Sequence, residues 1–325
     1  MTKRIVAFRR LKESQLDQLR HEFHVDYFER LDSADDPAFR HALRQAHGLV
    51  GAGLRITPEM LDDAPRLEAI ASISVGYDNY PIDELNRRGI LLCNTPDVLT
   101  ETTADTGFLL IMATARRAIE LAEFIKRGDW QESIGDAQFG SDVHGKTLGM
   151  IGMGRIGAAI ARRGALGFGM KVLYSNASPK PALDAELGAE HRDMDALLQE
   201  SDFVCVTVPL TAETERLIGQ REFARMKSSA IFVNIARGKV VDESALIDAL
   251  NQGHIHAAGL DVFEQEPLPD DSPLPHMANV VALPHIGSAT HETRTAMAQR
   301  AVDNILLALK GERPISLVNE SAWNG

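Results

Sequence analysis

An α/β chain with two doubly wound, parallel-sheet domains is predicted by three observations. Short apolar runs alternate with helix-length segments through the first hundred or so residues, and the same rhythm restarts near Thr147. A glycine-rich turn stands at the first strand-to-helix junction of that second half. The length of 325 residues suits two ordinary domains, and a 44% share of hydrophobic residues can fill more than one core.

In the first half, IVAF (5–8), VDYF (25–28), LVGAG (49–53), EAIASIS (68–74) and ILLCN (90–94) have strand length and strand punctuation. Segments 11–23, 35–46, 57–65 and 81–89 fit helices between them. Strict alternation of this kind predicts a parallel sheet covered by helices on both faces. From Thr100 to about Gly128 the pattern is helical and free of proline. It predicts one helix of about 27 residues, suited to bridging domains or building a subunit interface. A loop carrying Trp130 and Phe139 follows. The second half supplies strands at TLGMIGM, KVLYS, FVCVTV, AIFVNIA, AGLDVF and VVAL. Segment 290–311 then places Ala298, Val302, Ile305 and Leu309 on one helical face, predicted to pack back on the first domain. The expected domains are 1–99 plus 290–325, and 100–289.

A formal net charge of -12 argues against nucleic acid or an anionic membrane surface as a partner, since either would repel the chain as a whole. The two cysteines, Cys93 and Cys205, sit inside apolar strand-like runs and read as buried hydrophobes of a reducing compartment. No apolar stretch approaches the roughly 20 residues that span a bilayer, and no signal-peptide core precedes the first strand. A soluble cytoplasmic protein is expected. His254 and His256 form the nearest approach to a metal pair, but no Cys/His/Asp cluster supports them, so no metal is expected.

GMGRIG matches G-x-G-x-x-G between an apolar strand and a helix, the context that gives the motif a mechanism. Gly152 permits the tight turn, Gly154 lets a pyrophosphate approach the backbone, and Gly157 lets helix and strand pack closely. A helix N-terminus then offers N–H donors and a positive dipole end. An NAD site usually places Asp or Glu at the end of the next strand, on the ribose 2′-hydroxyl. Here that position is Ser175, and the following loop holds Asn176, Ser178 and Lys180. Hydroxyl, amide and ammonium groups can receive a 2′-phosphate that a carboxylate would repel. The loop therefore predicts NADP(H), while the lack of an Arg leaves room for dual use with NAD(H).

Three later segments, VNIARGKVVDESALIDAL, AAGLDVFEQEPL and VVALPHIGSATHET, resemble in order the motifs of the D-isomer-specific 2-hydroxyacid dehydrogenases. SVGYDN (74–79) resembles that family's substrate-binding turn, and the likeness covers nearly the whole chain. It is nearest to the glyoxylate/hydroxypyruvate and 2-ketogluconate reductases. The resemblance implies a flavodoxin-like substrate domain, a Rossmann cofactor domain, and hydride transfer to small 2-keto acids. It also implies a homodimer built on the helix near 101–127 and the loop after it, with Phe139 reaching toward a partner's site.

The residues suit that chemistry. Arg237 can hold a substrate carboxylate oxygen and polarise the adjoining carbonyl with its planar fork. Backbone amides of Val75 and Gly76 can hold the other side of the carboxylate. His285 is the group suited to give a proton to the developing alkoxide near neutrality, and Glu266 would orient its ring and favour the imidazolium. Family-matched positions imply cofactor contacts at Arg155, Ile156, Pro209, Leu210, Ile235, Ala236 and His285, with Ser288 touching substrate or cofactor. Asp261 is either an acceptor for the nicotinamide carboxamide or a structural cap. Thr106 is either a cofactor contact or a packing residue. Glu266 speaks against a formate dehydrogenase, whose related site carries Gln. With Gly325 soon after the last helix, the regulatory domain of long phosphoglycerate dehydrogenases is not expected. A short phosphoglycerate dehydrogenase or a D-lactate dehydrogenase stands as the alternative, followed by a nucleotide-sensing corepressor of the same fold.

Overall fold

The computed structural model describes residues 2–323. Residues 1, 324 and 325, which the expected first domain includes, lie outside the described residues. The chain divides into two compact units. One runs to Leu99 and resumes at Ser288, and the other spans Thr100–Gly287.

The first unit is built from β1 (Arg4–Phe8), α1 (Glu13–Glu22), β2 (His24–Phe28), α2 (Pro37–Leu43), β3 (Gly48–Gly51), α3 (Pro58–Asp62), β4 (Ala69–Ser72), α4 (Ile82–Arg88) and β5 (Leu91–Cys93). Its strands lie in the order β2-β1-β3-β4-β5, and every pairing is parallel. Local signals fix the helix ends. Asp36 and Thr57 cap α2 and α3 by accepting from the Phe39 and Met60 amides, and a proline opens each helix. The order reverses between β1 and β3, so the loops that follow the strands converge at the C-terminal edge of the sheet. That edge is where doubly wound sheets bind ligands.

The second unit opens with α5 (Thr100–Ala115) and α6 (Ala118–Lys126). There follow β6 (Thr147–Ile151), α7 (Arg155–Arg162), β7 (Lys171–Ser175), α8 (Pro181–Leu187), β8 (Glu190–His191) and α9 (Met194–Glu200). Then come β9 (Phe203–Val206), α10 (Gln220–Phe223), β10 (Ile231–Asn234), α11 (Glu243–Asn251), β11 (Ala257–Leu260) and β12 (Val280–Ala282). The seven strands run β12-β11-β10-β9-β6-β7-β8, again all parallel. Separate apolar clusters fill the two faces, one centred on Leu110, Met150 and Ile160 and the other on Leu197, Phe223 and Phe232. The last helix, α12 (His291–Lys310), belongs to the first unit, where Ile305 and Leu309 pack over Gly48 of β3.

One expectation needs correction, and one strand was not expected. The single helix expected over 100–128 is two helices, because Arg117 takes a left-handed conformation (φ 52°) at the break. Its guanidinium bonds Glu120 at 2.6 and 2.8 Å and the Ala137 carbonyl at 2.5 Å, while the Ala115 carbonyl accepts from Ser141. Absence of proline therefore did not ensure continuity. The short edge strand β8 has too few residues to register as a hydrophobic run.

Among the described residues no helix is long and apolar enough to cross a membrane, and no group of three His, Cys, Asp or Glu gathers as a metal site. Cys93 and Cys205 are buried and unbridged, and burial pushes both thiols up to about 12.

Candidate active site

The glycine-rich turn follows β6, the strand at which the order of the second sheet reverses. Gly152 has φ +94°, and a Cβ there would lie 2.8 Å from Val208 Cγ1. A Cβ on Gly157 would lie 2.3 Å from the Gly152 carbonyl oxygen, so only glycine lets α7 start this close to the turn. A Cβ on Gly154, by contrast, would meet nothing within 4 Å. That side of the turn is open. The Gly154 N-cap carries no side-chain hydrogen bond, and the first turn of α7 holds no acidic residue. These residues fit a dinucleotide pyrophosphate.

Neighbouring strands fix the turn. The Ser175 carbonyl accepts from the Gly152 amide at 3.0 Å, Asn176 Oδ1 accepts from the Met153 amide at 2.7 Å, and Thr207 Oγ1 donates to the Gly152 carbonyl at 2.6 Å. Ser175 ends β7, and no carboxylate occurs from there to Lys180. Lys180 stands at the N-cap of α8, with its amide donating to the Tyr174 hydroxyl at 2.6 Å. Ser178 is exposed. His191, which sequence reasoning passed over, sets its ring nitrogen 3.1 Å from the Asn176 carbonyl.

The second cluster grows from the ends of β10, β11 and β12. Asn234, the last residue of β10, is buried; its side chain accepts from the Ala236 amide and donates to the Arg237 carbonyl, both at 3.0 Å. Ile235 and Ala236 are buried in this turn, and Arg237 follows half-buried, with Nη1 2.9 Å from the Ala236 carbonyl. At Gly238 a Cβ would overlap the Phe263 backbone at 1.8 Å. This close passage brings the Arg237 segment against the loop that carries Glu266.

Glu266 accepts from the Phe263 amide through Oε1 at 3.1 Å and from His285 Nδ1 through Oε2 at 2.6 Å. Burial works to raise the Glu266 pKa. The bond and charge of His285, the Phe263 amide and the Arg237 charge outweigh it, so the carboxyl stays below its ordinary value. Glu266 is therefore ionised near neutrality. Its hold on Nδ1 leaves Nε2 as the ring nitrogen available to a substrate oxygen.

His285 lies after β12 in a left-handed backbone conformation, φ 52°. Asp261, 1% exposed, accepts from the Ile286 amide at 2.7 Å and from the Gly287 amide at 2.8 Å. Both carboxylate oxygens thus anchor the loop that presents the histidine. Burial raises the Asp261 pKa, although the two amides work against it.

The other expected contacts take the following places. Arg155 is exposed and Ile156 half-buried at the start of α7. Pro209 and Leu210 follow β9, and the Pro209 carbonyl accepts from Thr214. Thr106 is buried in α5 and donates to the Thr102 carbonyl of its own helix at 3.3 Å. Ser288 belongs to the first unit, its carbonyl accepting from the Thr290 amide. Val75 and Gly76 lie in the loop after β4 of that unit. Asn234 and Thr207 were legible only as polar residues at or just past the inner end of an apolar strand, a signal too general to single them out.

A parallel sheet with a glycine-rich turn at its reversal point, and an Arg/Glu/His cluster on neighbouring strand ends, define an NAD(P)-dependent oxidoreductase. Residues 108–287 match the family model described as D-isomer specific 2-hydroxyacid dehydrogenase, NAD binding domain. A glyoxylate/hydroxypyruvate reductase B of Yersinia pestis (strain Pestoides F) is 53% identical over 315 residues, 97% of each chain. The chain belongs to the D-isomer-specific 2-hydroxyacid dehydrogenase family. Among solved structures, an NADPH-dependent glyoxylate/hydroxypyruvate reductase from Sinorhizobium meliloti, in complex with NADP and malonate, has a TM-score of 0.88 at 32% identity. That match covers 99% of this chain and 98% of the other. A D-lactate dehydrogenase from Aquifex aeolicus, complexed with NAD and lactic acid, has a TM-score of 0.87 at 28% identity, covering 97% and 99%.

Proposed function

We propose that this enzyme reduces glyoxylate and hydroxypyruvate, and 2-ketogluconate as a larger substrate, to D-2-hydroxy acids with NADPH preferred over NADH. The observation that carries the chemistry is the 2.6 Å contact of His285 Nδ1 with an ionised Glu266, beside the Arg237 charge. The glyoxylate and hydroxypyruvate part of the range is supported by the 53% identical reductase and by the NADPH-dependent relative of known structure, and 2-ketogluconate by the resemblance of the motifs alone.

A bound nicotinamide supplies the hydride. Arg237 holds the substrate carboxylate and draws electron density from the neighbouring carbonyl. His285 donates the Nε2 proton to the oxygen that gains charge, and in the reverse direction takes it back. Glu266 keeps the ring oriented. Asp261 holds the loop in place through the amides beyond His285. Val75 and Gly76 hold the carboxylate through their backbone.

The coenzyme preference rests on Ser175, where no carboxylate opposes a 2′-phosphate, and on Lys180 nearby. A homodimer is proposed from α6, none of whose residues is buried within the chain. Ile119, Ile125, Trp130 and Phe139, on that helix and in the loop after it, are at least half exposed. Light scattering at micromolar concentration should report the dimer, and a monomer alone would contradict it. Steady-state kinetics with glyoxylate, hydroxypyruvate, 2-ketogluconate, pyruvate and 3-phosphohydroxypyruvate, each with NADPH and NADH, test the reading. A higher kcat/KM on pyruvate or the phosphorylated acid would replace it.

A further inference from the structure

The loop after β4 shows how its backbone amides come to face outward. Three successive carbonyls are engaged within the unit. Ser74 accepts from the Thr95 amide at 2.9 Å, Val75 from Asn94 Nδ2 at 2.8 Å, and Gly76 from Ser74 Oγ at 2.7 Å. In a trans peptide the C=O and N–H point in opposite directions. Drawing the Ser74 and Val75 carbonyls toward the Asn94–Thr95 segment therefore turns the amides of Val75 and Gly76 away from it. Among the described residues no acceptor meets the Val75 or Gly76 amide.

Asn94 is itself held by a buried network. Its carbonyl accepts from Asn304 Nδ2 at 3.1 Å and from Ser316 Oγ at 2.9 Å, and its amide donates to the Ser316 carbonyl at 3.2 Å. Asn304 is fully buried on α12, and its Oδ1 accepts from the Ser316 amide at 3.1 Å. A polar side chain at 0% exposure on the apolar face of a helix is costly unless every group is matched. Here the matched groups fix the backbone of Asn94, whose side chain then has one described task, the bond to the Val75 carbonyl.

We infer that Asn94 is a positioning residue for keto acid binding. Held by Asn304 and Ser316, it fixes the Val75–Gly76 peptide so that its N–H faces the substrate carboxylate. This rests on the proposed role of those amides as carboxylate donors. It assigns specificity for the acid group to a neutral side chain in the first unit that touches no substrate.

Asn94 and Asn304 differ usefully as targets. Asn94→Ala deletes the bond to Val75 but keeps the backbone bonds to Ser316 and Asn304. Asn304→Ala releases the segment around Ser316 and should lower stability as well. For Asn94→Ala, KM for glyoxylate should rise about 10-fold with kcat within about twofold, as expected for lost uniform binding. NADPH binding by fluorescence should be unchanged. An Asn94→Ala enzyme with unchanged KM and normal melting temperature would overturn the inference.

A second readout does not depend on turnover. In protein labelled with ¹⁵N-glycine, the Gly76 amide signal of the NADPH complex should move on adding oxamate, a carboxylate analogue of glyoxylate. The shift should be much reduced in Asn94→Ala at the same oxamate concentration. If wild type shows no Gly76 response, the carboxylate role of these amides fails. If wild type and Asn94→Ala respond alike, that role stands and the positioning role of Asn94 falls.

Discussion

The ends of the two sheets solve different problems with different materials. After β4 the first unit uses neutral groups, Ser74 and Asn94, to hold carbonyls and turn amides outward. After β10, β11 and β12 the second unit gathers Arg237, Asp261, Glu266 and His285, all able to carry charge. Backbone dipoles suit the binding of an anion whose charge does not change during the reaction. Side chains able to carry or exchange a proton suit the oxygen whose charge does change. The comparison teaches that substitutions in the two regions should divide between KM and kcat.

The largest expected effect is that of His285→Ala. Loss of general acid–base catalysis typically costs about 10²–10⁴-fold, and it should appear in kcat while NADPH binding is retained. Titration of NADPH fluorescence beside steady-state glyoxylate reduction checks both halves. Near-normal turnover would remove the proposed mechanism and the contrast between the two regions. Arg237→Ala comes next. Its guanidinium should serve both ground and transition state, so KM should rise and kcat fall together, by about 10²-fold in kcat/KM. A change in KM alone would place Arg237 with the neutral binding loop instead.

Glu266→Gln tests whether charge or orientation is the larger part of the second region. Glutamine can still accept a bond from Nδ1 but brings no negative charge to the ring. Proton delivery by the ring should therefore be slower, with kcat for glyoxylate reduction lower by about 10-fold and KM little changed. On the acid side, the wild-type carboxyl is held below its ordinary value, so Glu266 keeps its charge until the pH falls below the usual carboxylate range. Steady-state rates near neutrality, with wild-type profiles carried down to about pH 4, check both. An unchanged kcat would mean that Glu266 orients the ring and that its charge contributes nothing to the rate.

Much of this arrangement was legible in the sequence because it depends on local residue type. The alternating apolar runs indicated the strands of both sheets, with β8 the exception. The spacing of Gly152, Gly154 and Gly157 defined a turn whose steric need for glycine at 152 and 157 is explicit in the structure. Glu266 and His285, 2.6 Å apart, lie in separate family-like segments that could be paired from the resemblance. What the sequence concealed depends on hydrogen bonds between distant positions. Nothing near Arg117 marks a left-handed residue, because the bond to the Ala137 carbonyl supports it from another loop. Asn304 reads as one polar residue in an amphipathic helix, and only its contacts with Asn94 and Ser316 give it meaning. Asp261 was open between a cofactor contact and a structural role, and its two amide bonds supply the structural part.

The smallest effects concern the coenzyme, where the two materials meet in one loop. Ser175 and Asn176 are neutral, whereas Lys180 brings charge at the start of α8. An exposed ammonium–phosphate contact is screened by solvent and salt and contributes at most about 1 kcal/mol, or roughly fivefold. An introduced carboxylate acts more strongly, since it opposes the 2′-phosphate and accepts from the ribose hydroxyls of NADH. Ser175→Asp should therefore lower kcat/KM for NADPH by about 10-fold or more and raise it for NADH. Lys180→Ala should lose only about threefold, confined to NADPH, and less at high salt. Kinetics with both coenzymes at low and high ionic strength separate these terms. A ratio unmoved by Ser175→Asp, or a wild type with higher kcat/KM for NADH, would refute this account of the loop. A Lys180→Ala loss larger than that of Ser175→Asp would instead make the charged side chain, rather than the missing acid, the main source of preference.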